Sequence, residues 1–153
     1  MKRFLKIFAS IALPLTAGFL GSLPEIGEWY AELNKPFLNP PGWIFAPVWT
    51  VLYILMGVAA FFVWEKGWKK EVKIALFLFL LQLVLNSSWS LVFFGLKDIS
   101  LALANILLLW VLILCTMIAF YRVSKASFIL LLPYILWVSF AIYLNLTILI
   151  INF

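Results

Sequence analysis

The sequence predicts an all-α integral membrane protein, a bundle of five transmembrane helices that forms a single domain over residues 1–153. Composition is the first observation: 67% of the residues are hydrophobic and 11% are charged. A soluble domain of this size has about 45–50% apolar and about 25% charged residues. The second observation is five apolar runs, each near the roughly 20 residues that a membrane helix needs. These runs occupy residues 4–23, 43–64, 72–95, 99–121 and 126–150.

The first run follows Lys2, Arg3 and Lys6 and therefore resembles a signal peptide. Its apolar stretch is long for a signal peptide and no Ala-x-Ala cleavage site follows, so we expect a retained helix. Small residues cluster near its end, where another helix is predicted to approach closely. They are Ala17, Gly18, Gly21 and Ser22.

The second run follows a proline-rich loop. Pro36, Pro40 and Pro41 fix φ and remove three backbone donors, so residues 35–42 are predicted not to be helical. Trp49 and Tyr53 are four residues apart and share one face of the helix that follows. Trp49 lies about 9 Å inside that helix at 1.5 Å per residue. This is too deep for an interfacial aromatic belt, so a buried role is predicted.

Polar side chains interrupt the last three runs at helical spacing. Gln82, Asn86 and Ser90 are spaced by four in the third run, and Asn105 lies in the fourth. The fifth run carries one stripe formed by Tyr134, Trp137, Ala141 and Asn145. One interpretation is hydrogen bonding between helices, above all for Gln82 and Asn145. The other is a shared pocket beneath the first loop, with aromatic walls and a few polar groups.

The scarcity of histidine and cysteine limits the metal-binding and proton-transfer chemistry that the chain can perform. The chain has no histidine and one cysteine, so it lacks the commonest metal ligand and the usual proton carrier at neutral pH. We predict no metal site. The net charge of +5 does not indicate nucleic-acid binding, because the lysines lie at helix ends, where anionic lipid head groups sit.

The loops predict the orientation. With the N-terminus inside, nine of the 11 basic residues face the cytoplasm, and only Lys35 and Lys97 lie outside. The first loop, residues 24–42, is then extracytoplasmic, and its length suggests a functional role. The other connections are short, which predicts that consecutive helices pack as antiparallel neighbours.

The sequence resembles the translocator protein family, also called tryptophan-rich sensory protein or peripheral-type benzodiazepine receptor (TspO/MBR), over nearly its whole length. The matching segments, in order, are Trp29-Tyr30, Lys35-Pro36, Pro40-Pro41, Pro47-Val48-Trp49, Leu52-Tyr53, Met56-Gly57, Asn86-x-x-Trp89, Phe93-Phe94-Gly95, Pro133-Tyr134-x-x-Trp137 and Phe140. Their combined order and spacing are very specific.

The resemblance implies five transmembrane helices, a homodimer, and a pocket near the first loop that binds porphyrins or synthetic isoquinoline ligands. By position, the pocket residues would be Tyr30, Pro40, Phe45, Trp49, Tyr53, Asn86, Trp89, Asn105, Trp137 and Ala141. Porphyrin or haem would be a ligand, and no cofactor is required. We expect the chain to lie in the cytoplasmic membrane of a prokaryote.

Two departures limit what the resemblance implies. The cholesterol motif of animal members needs a basic residue within five positions after a tyrosine, and none follows Tyr143. Such motifs are weak in any case. Many relatives also carry an acid where this chain has Asn105, so the role of that position is open.

Three functions are compatible with these residues. The first is a receptor or sensor that binds a tetrapyrrole such as porphyrin or haem. The second is a facilitator-type transporter of porphyrins or similar apolar ligands; ion coupling is disfavoured because the helix interiors hold no acid or histidine. The third is a light- or oxygen-dependent enzyme that degrades porphyrin, in which Trp49 and Trp137 would be oxidised. No nucleophile–base pair or cofactor loop supports an enzyme.

The orientation gives a first prediction. Because the basic residues cluster so strongly on one side, a reporter fused after Phe153 should report an extracytoplasmic C-terminus. Paired phosphatase and fluorescent-protein fusions measure this directly. A cytoplasmic signal from the fusion at Phe153 would contradict the orientation.

Overall fold

The computed structural model describes residues 2–153, which contain five long helices and one short one. The long helices are α1 (Lys2–Gly21), α3 (Phe45–Trp64), α4 (Lys70–Ser90), α5 (Ile99–Val123) and α6 (Lys125–Asn152). All five are long and apolar enough to cross a membrane. The prediction of an all-α membrane protein with five transmembrane helices is therefore confirmed.

The helix boundaries differ from the predicted ones at several ends. α1 ends at Gly21, two residues earlier than predicted, and α6 continues to Asn152. A 3-10 turn over Gly42–Ile44 precedes α3, and the last turn of the predicted third run is a π-helix, Leu91–Gly95. The π-turn follows α4 without a break, so one continuous helical segment extends to residue 95.

The first loop contains the element that the sequence did not predict, the short helix α2 (Glu28–Glu32). Residues 33–41 are not helical, in agreement with the restriction that Pro36, Pro40 and Pro41 impose. We call the end of the bundle that carries this loop the loop end, and the other end the opposite end.

The five long helices form a closed ring. α1 packs against α3, α3 against α6, α6 against α5, α5 against α4, and α4 against α1. The prediction that all consecutive helices are neighbours is wrong for α3 and α4, which make few contacts with each other. α1 packs against both of them and so lies between them in the ring. A short connection permits neighbouring helices, but the packing of a third helix can separate them.

The half of the bundle at the opposite end is packed solidly. Its core consists of side chains such as Met56 and Val63 of α3, Phe79 of α4, Phe120 of α5 and Leu131 of α6, each at most 2% exposed. The polar cavity-lining side chains lie instead in the half at the loop end. The half of the bundle at the opposite end is therefore well packed, whereas the half at the loop end contains a cavity.

Small residues allow α1 to approach α3 and α4, as the sequence predicted. A Cβ atom at Gly57 would lie 2.7 Å from Cα of Ile11 and 2.8 Å from the carbonyl oxygen of Ser10. Ser87 donates a hydrogen bond from Oγ to the carbonyl oxygen of Ala17 at 2.7 Å. Gly18 lies directly against the ring of Tyr53. Close approach of this kind supplies the packing that holds membrane helices together.

This packing gives a second prediction. Gly57→Ala should destabilise the protein by about 1–3 kcal/mol, because the clash is with backbone atoms of α1 that cannot rotate away. Thermal unfolding in detergent measures the loss. Gly95→Ala is the control, since nothing lies within 4 Å of its added Cβ. Equal melting temperatures for the two variants would show that α1 does not pack this closely on α3.

Candidate functional site

A cavity of about 790 Å³ lies at the loop end, between α1, α3, α4 and α6 and beneath the first loop. Its volume is within the usual range of small-molecule pockets, about 300–1,000 Å³. The structure brings nine of the ten predicted site residues together around it. They are Tyr30, Pro40, Phe45, Trp49, Tyr53, Asn86, Trp89, Trp137 and Ala141.

α3 supplies one aromatic wall. Phe45, Trp49 and Tyr53 are spaced by four residues, so they line a single face of the helix. The rings of Trp49 and Tyr53 stack with centroids 5.5 Å apart and an interplanar angle of 26°. Trp49 also meets the ring of Tyr134 edge to face at 6.3 Å. These contacts fix the orientation of the indole while one side of it lines the cavity.

α6 supplies the neighbouring wall through Trp137, Ala141 and Asn145. The ring of Trp137 contacts that of Phe45 edge to face, with centroids 5.9 Å apart. Trp137 Nε1 is buried and has no hydrogen-bond partner within the described chain. A buried donor without a partner costs about 1–3 kcal/mol.

Trp137 also borders a second, more open space. This groove lies between α3 and α6 and is lined by apolar side chains alone, including Val51, Leu136 and Phe140. Val51 and Leu136 are exposed, as residues that face lipid are. Trp137 thus separates the inner cavity from the lipid-facing surface of the bundle.

A hydrogen-bonded chain of four side chains lies below the aromatic walls. Tyr53 donates from its hydroxyl to Asn86 Oδ1 at 2.6 Å, and Asn86 Nδ2 donates to the hydroxyl of Tyr134 at 3.1 Å. Tyr134 in turn donates to Gln82 Oε1 at 2.6 Å. We call these four residues the polar chain. It joins α3, α4 and α6, and Tyr53 and Asn86 present it to the cavity.

A second set of hydrogen bonds orients the α4 wall. Trp89 Nε1 donates to Asn145 Oδ1 at 3.0 Å, and Asn145 Nδ2 donates to the carbonyl oxygen of Ile99 at 3.0 Å. The ring of Trp89 stacks on Phe93 with centroids 5.2 Å apart. The predicted role of Gln82 and Asn145 in hydrogen bonds between helices is confirmed.

The first loop covers the cavity and is fastened at both sides. The backbone N–H of Asn34 donates to Asn152 Oδ1 at 2.9 Å, and Asn152 Nδ2 donates back to the carbonyl oxygen of Asn34 at 3.0 Å. Tyr30 packs edge to face on Phe93 and Phe94 of the π-turn. Burial raises the pKa of the Tyr30 phenol. The loop is thus held against the ends of α4 and α6.

The tenth predicted residue, Asn105, does not line the cavity. Its Nδ2 donates to Ser88 Oγ at 2.7 Å in the contact between α5 and α4. No residue of α5 lines the cavity. The family resemblance implied that Asn105 lines the pocket, but its face of α5 is turned towards α4.

Several cavity residues were not predicted. α1 contributes Leu15, Gly18 and Phe19, and the loop contributes Lys35 and Asn39. The small-residue patch on α1 predicted close packing, and Gly18 of this patch lies directly against the ring of Tyr53. The loop residues carried no periodic signal, because residues 33–41 are neither helix nor strand.

Comparisons with known proteins agree with this architecture. A family model described as the TspO/MBR family matches residues 10–151. The chain is 50% identical to the tryptophan-rich protein TspO of Chlorobaculum tepidum, over 99% of this chain and 98% of that protein. It is 41% identical to the translocator protein of Bos taurus, covering 87% of this chain and 82% of the relative. It is 38% identical to the tryptophan-rich sensory protein of Cereibacter sphaeroides, over 93% of this chain and 86% of that protein. The chain therefore belongs to the TspO/MBR family.

Proposed function

We propose that this protein is a membrane receptor or sensor that binds a tetrapyrrole, porphyrin or haem, in the cavity beneath the first loop. The observation that carries the proposal is a preformed cavity with aromatic walls on two adjacent helices. Trp49 of α3 and Trp137 of α6 both line it. Aromatic side chains that border one apolar space favour a flat ligand with a large π-surface.

The polar groups of the cavity fit such a ligand as well. Tyr53, Asn86 and Ser90 place a few polar groups among the mostly apolar residues that line the cavity. This combination is typical of small-molecule pockets, in which a few polar groups fix the orientation of a mainly apolar ligand. An isoquinoline-type aromatic molecule has the same character and would occupy the same space.

The binding mode does not require iron. The chain has no histidine, so the common His–iron bond of haem proteins is not available. Affinity would then come from stacking and apolar burial, which metal-free porphyrin and haem share. This is the property that separates the proposed receptor from a conventional haem protein.

We also propose that the loop end faces out of the cytoplasm and that the membrane is the cytoplasmic membrane of a prokaryote. The hydrogen bonds between Asn34 and Asn152 place the first loop and the C-terminal end of α6 at the same end of the bundle. Most of the basic residues lie at the opposite end, which supports this orientation. The homodimer that the family resemblance implies remains a prediction.

The third prediction tests the pocket. The double variant Trp49→Phe, Trp137→Phe should bind metal-free porphyrin and haem more weakly by a similar factor. Phenylalanine keeps a smaller ring, so each substitution removes part of an aromatic contact that is typically worth about 0.5–1.5 kcal/mol beyond area burial. Quenching of the remaining tryptophan fluorescence measures the affinity, and titrations in the dark and in light with product analysis separate binding from turnover.

The matched control is Trp68→Phe, because Trp68 is 63% exposed and lies outside the cavity, next to Lys73. It should leave both affinities unchanged. Unaltered affinities in the double variant would show that Trp49 and Trp137 are packing residues. A response to haem alone would indicate ligation of iron by Cys, Met or Tyr.

A further inference from the structure

Lys35 is the one charged residue among those that line the cavity. It lies in the first loop, next to the prolines at the mouth. Its Nζ donates to the carbonyl oxygens of Ala31 and Leu33, both at 3.1 Å, and lies 4.8 Å from the centroid of the Tyr30 ring. An ammonium group has three N–H donors. Two are used by the loop, so one donor remains for a further partner.

No acid neutralises this charge in the described part of the chain. The ion pairs within residues 2–153 join Arg3 and Lys6 to Glu65, at 3.2 and 3.6 Å, at the opposite end. The acids of the first loop, Glu25, Glu28 and Glu32, form no ion pair with Lys35. Charges interact more strongly beside an apolar cavity than in water. A cation without an acidic partner at this mouth therefore favours a ligand with a negative charge.

We propose that Lys35 recognises a carboxylate of the bound ligand and thereby sets its orientation in the cavity. The apolar ring system would lie inside, between Trp49 and Trp137, with the acidic edge at the mouth beside Lys35. Lysine binds carboxylates through charge-assisted hydrogen bonds, which are shorter and stronger than neutral ones. The inference rests on the proposed function and adds the ligand class: flat, mainly apolar, and acidic at one edge.

A purely structural role for Lys35 makes a different prediction. Its two bonds to carbonyl oxygens complete the C-terminal end of α2, as basic side chains often do. Loss of this capping would loosen the loop and lower the affinity for every ligand by the same factor. Loss of carboxylate recognition would lower the affinity only for ligands that carry the carboxylate. Two ligands of equal shape and different charge therefore separate the two roles.

The experiment compares protoporphyrin IX, which has two carboxylates, with its uncharged dimethyl ester. Dissociation constants of both are measured in nanodiscs of neutral lipid for the wild type and Lys35→Gln. The quantity of interest is the ester-to-acid ratio of the two constants in each protein. Differences in membrane partitioning cancel when this ratio is compared between variants. We expect the ratio to fall roughly threefold to tenfold in Lys35→Gln, the range for one partly exposed charged hydrogen bond.

Two further variants serve as controls. Lys97→Gln removes an exposed lysine at the same end of the bundle that does not line the cavity, so it should leave the ratio unchanged. Lys35→Arg keeps the positive charge and should retain the preference for the acid. An equal loss of affinity for both ligands in Lys35→Gln, or an unchanged ratio, would overturn the proposal. Failure of the wild type to bind either porphyrin would overturn the proposed function itself, and this inference with it.

Discussion

The polar chain from Tyr53 through Asn86 and Tyr134 to Gln82 is the interaction on which the site depends. Lipid does not drive apolar helices together, so membrane helices associate through packing and hydrogen bonds. The four side chains join α3, α4 and α6 with bonds of 2.6–3.1 Å. Asn86 is the centre of the chain, because it accepts from one tyrosine and donates to another. A buried amide without these hydrogen-bond partners would lower the stability of the folded protein by several kcal/mol in an apolar surrounding.

The polar chain also lies at the boundary between the packed core at the opposite end and the cavity at the loop end. Towards the opposite end, small and apolar side chains such as Ala59, Ala75 and Ile113 are fully buried between the helices. Towards the loop end, the bulky side chains Trp49 and Trp137 border an open cavity instead. The solid half fixes the positions of the helices, and the hollow half can then keep its shape without a ligand. A preformed site of this kind needs little reorganisation to bind a rigid ligand.

Much of this arrangement could be predicted from residue type and spacing. The depth of Trp49 in its helix predicted a buried role, and its side chain is half-buried at the cavity wall. The spacing of Gln82 and Asn86 by four predicted a shared face. Neither pattern specifies which helix lies opposite that face. Asn105 shows the difference: the family resemblance implied a place in the pocket, yet the order of helices in the ring turns it towards Ser88. Lys35 lies in a segment without periodicity, so only the folded loop shows that it borders the cavity.

An experimental structure of the protein with bound metal-free porphyrin tests the central claim most directly. The account predicts that the ring lies inside the cavity, in contact with Trp49 and Trp137 and above Asn86, with the first loop closed over it. It also predicts that the polar chain keeps its hydrogen bonds when the ligand is present. Porphyrin bound only on the lipid-facing surface, for example in the groove between α3 and α6, with the inner cavity empty, would contradict it.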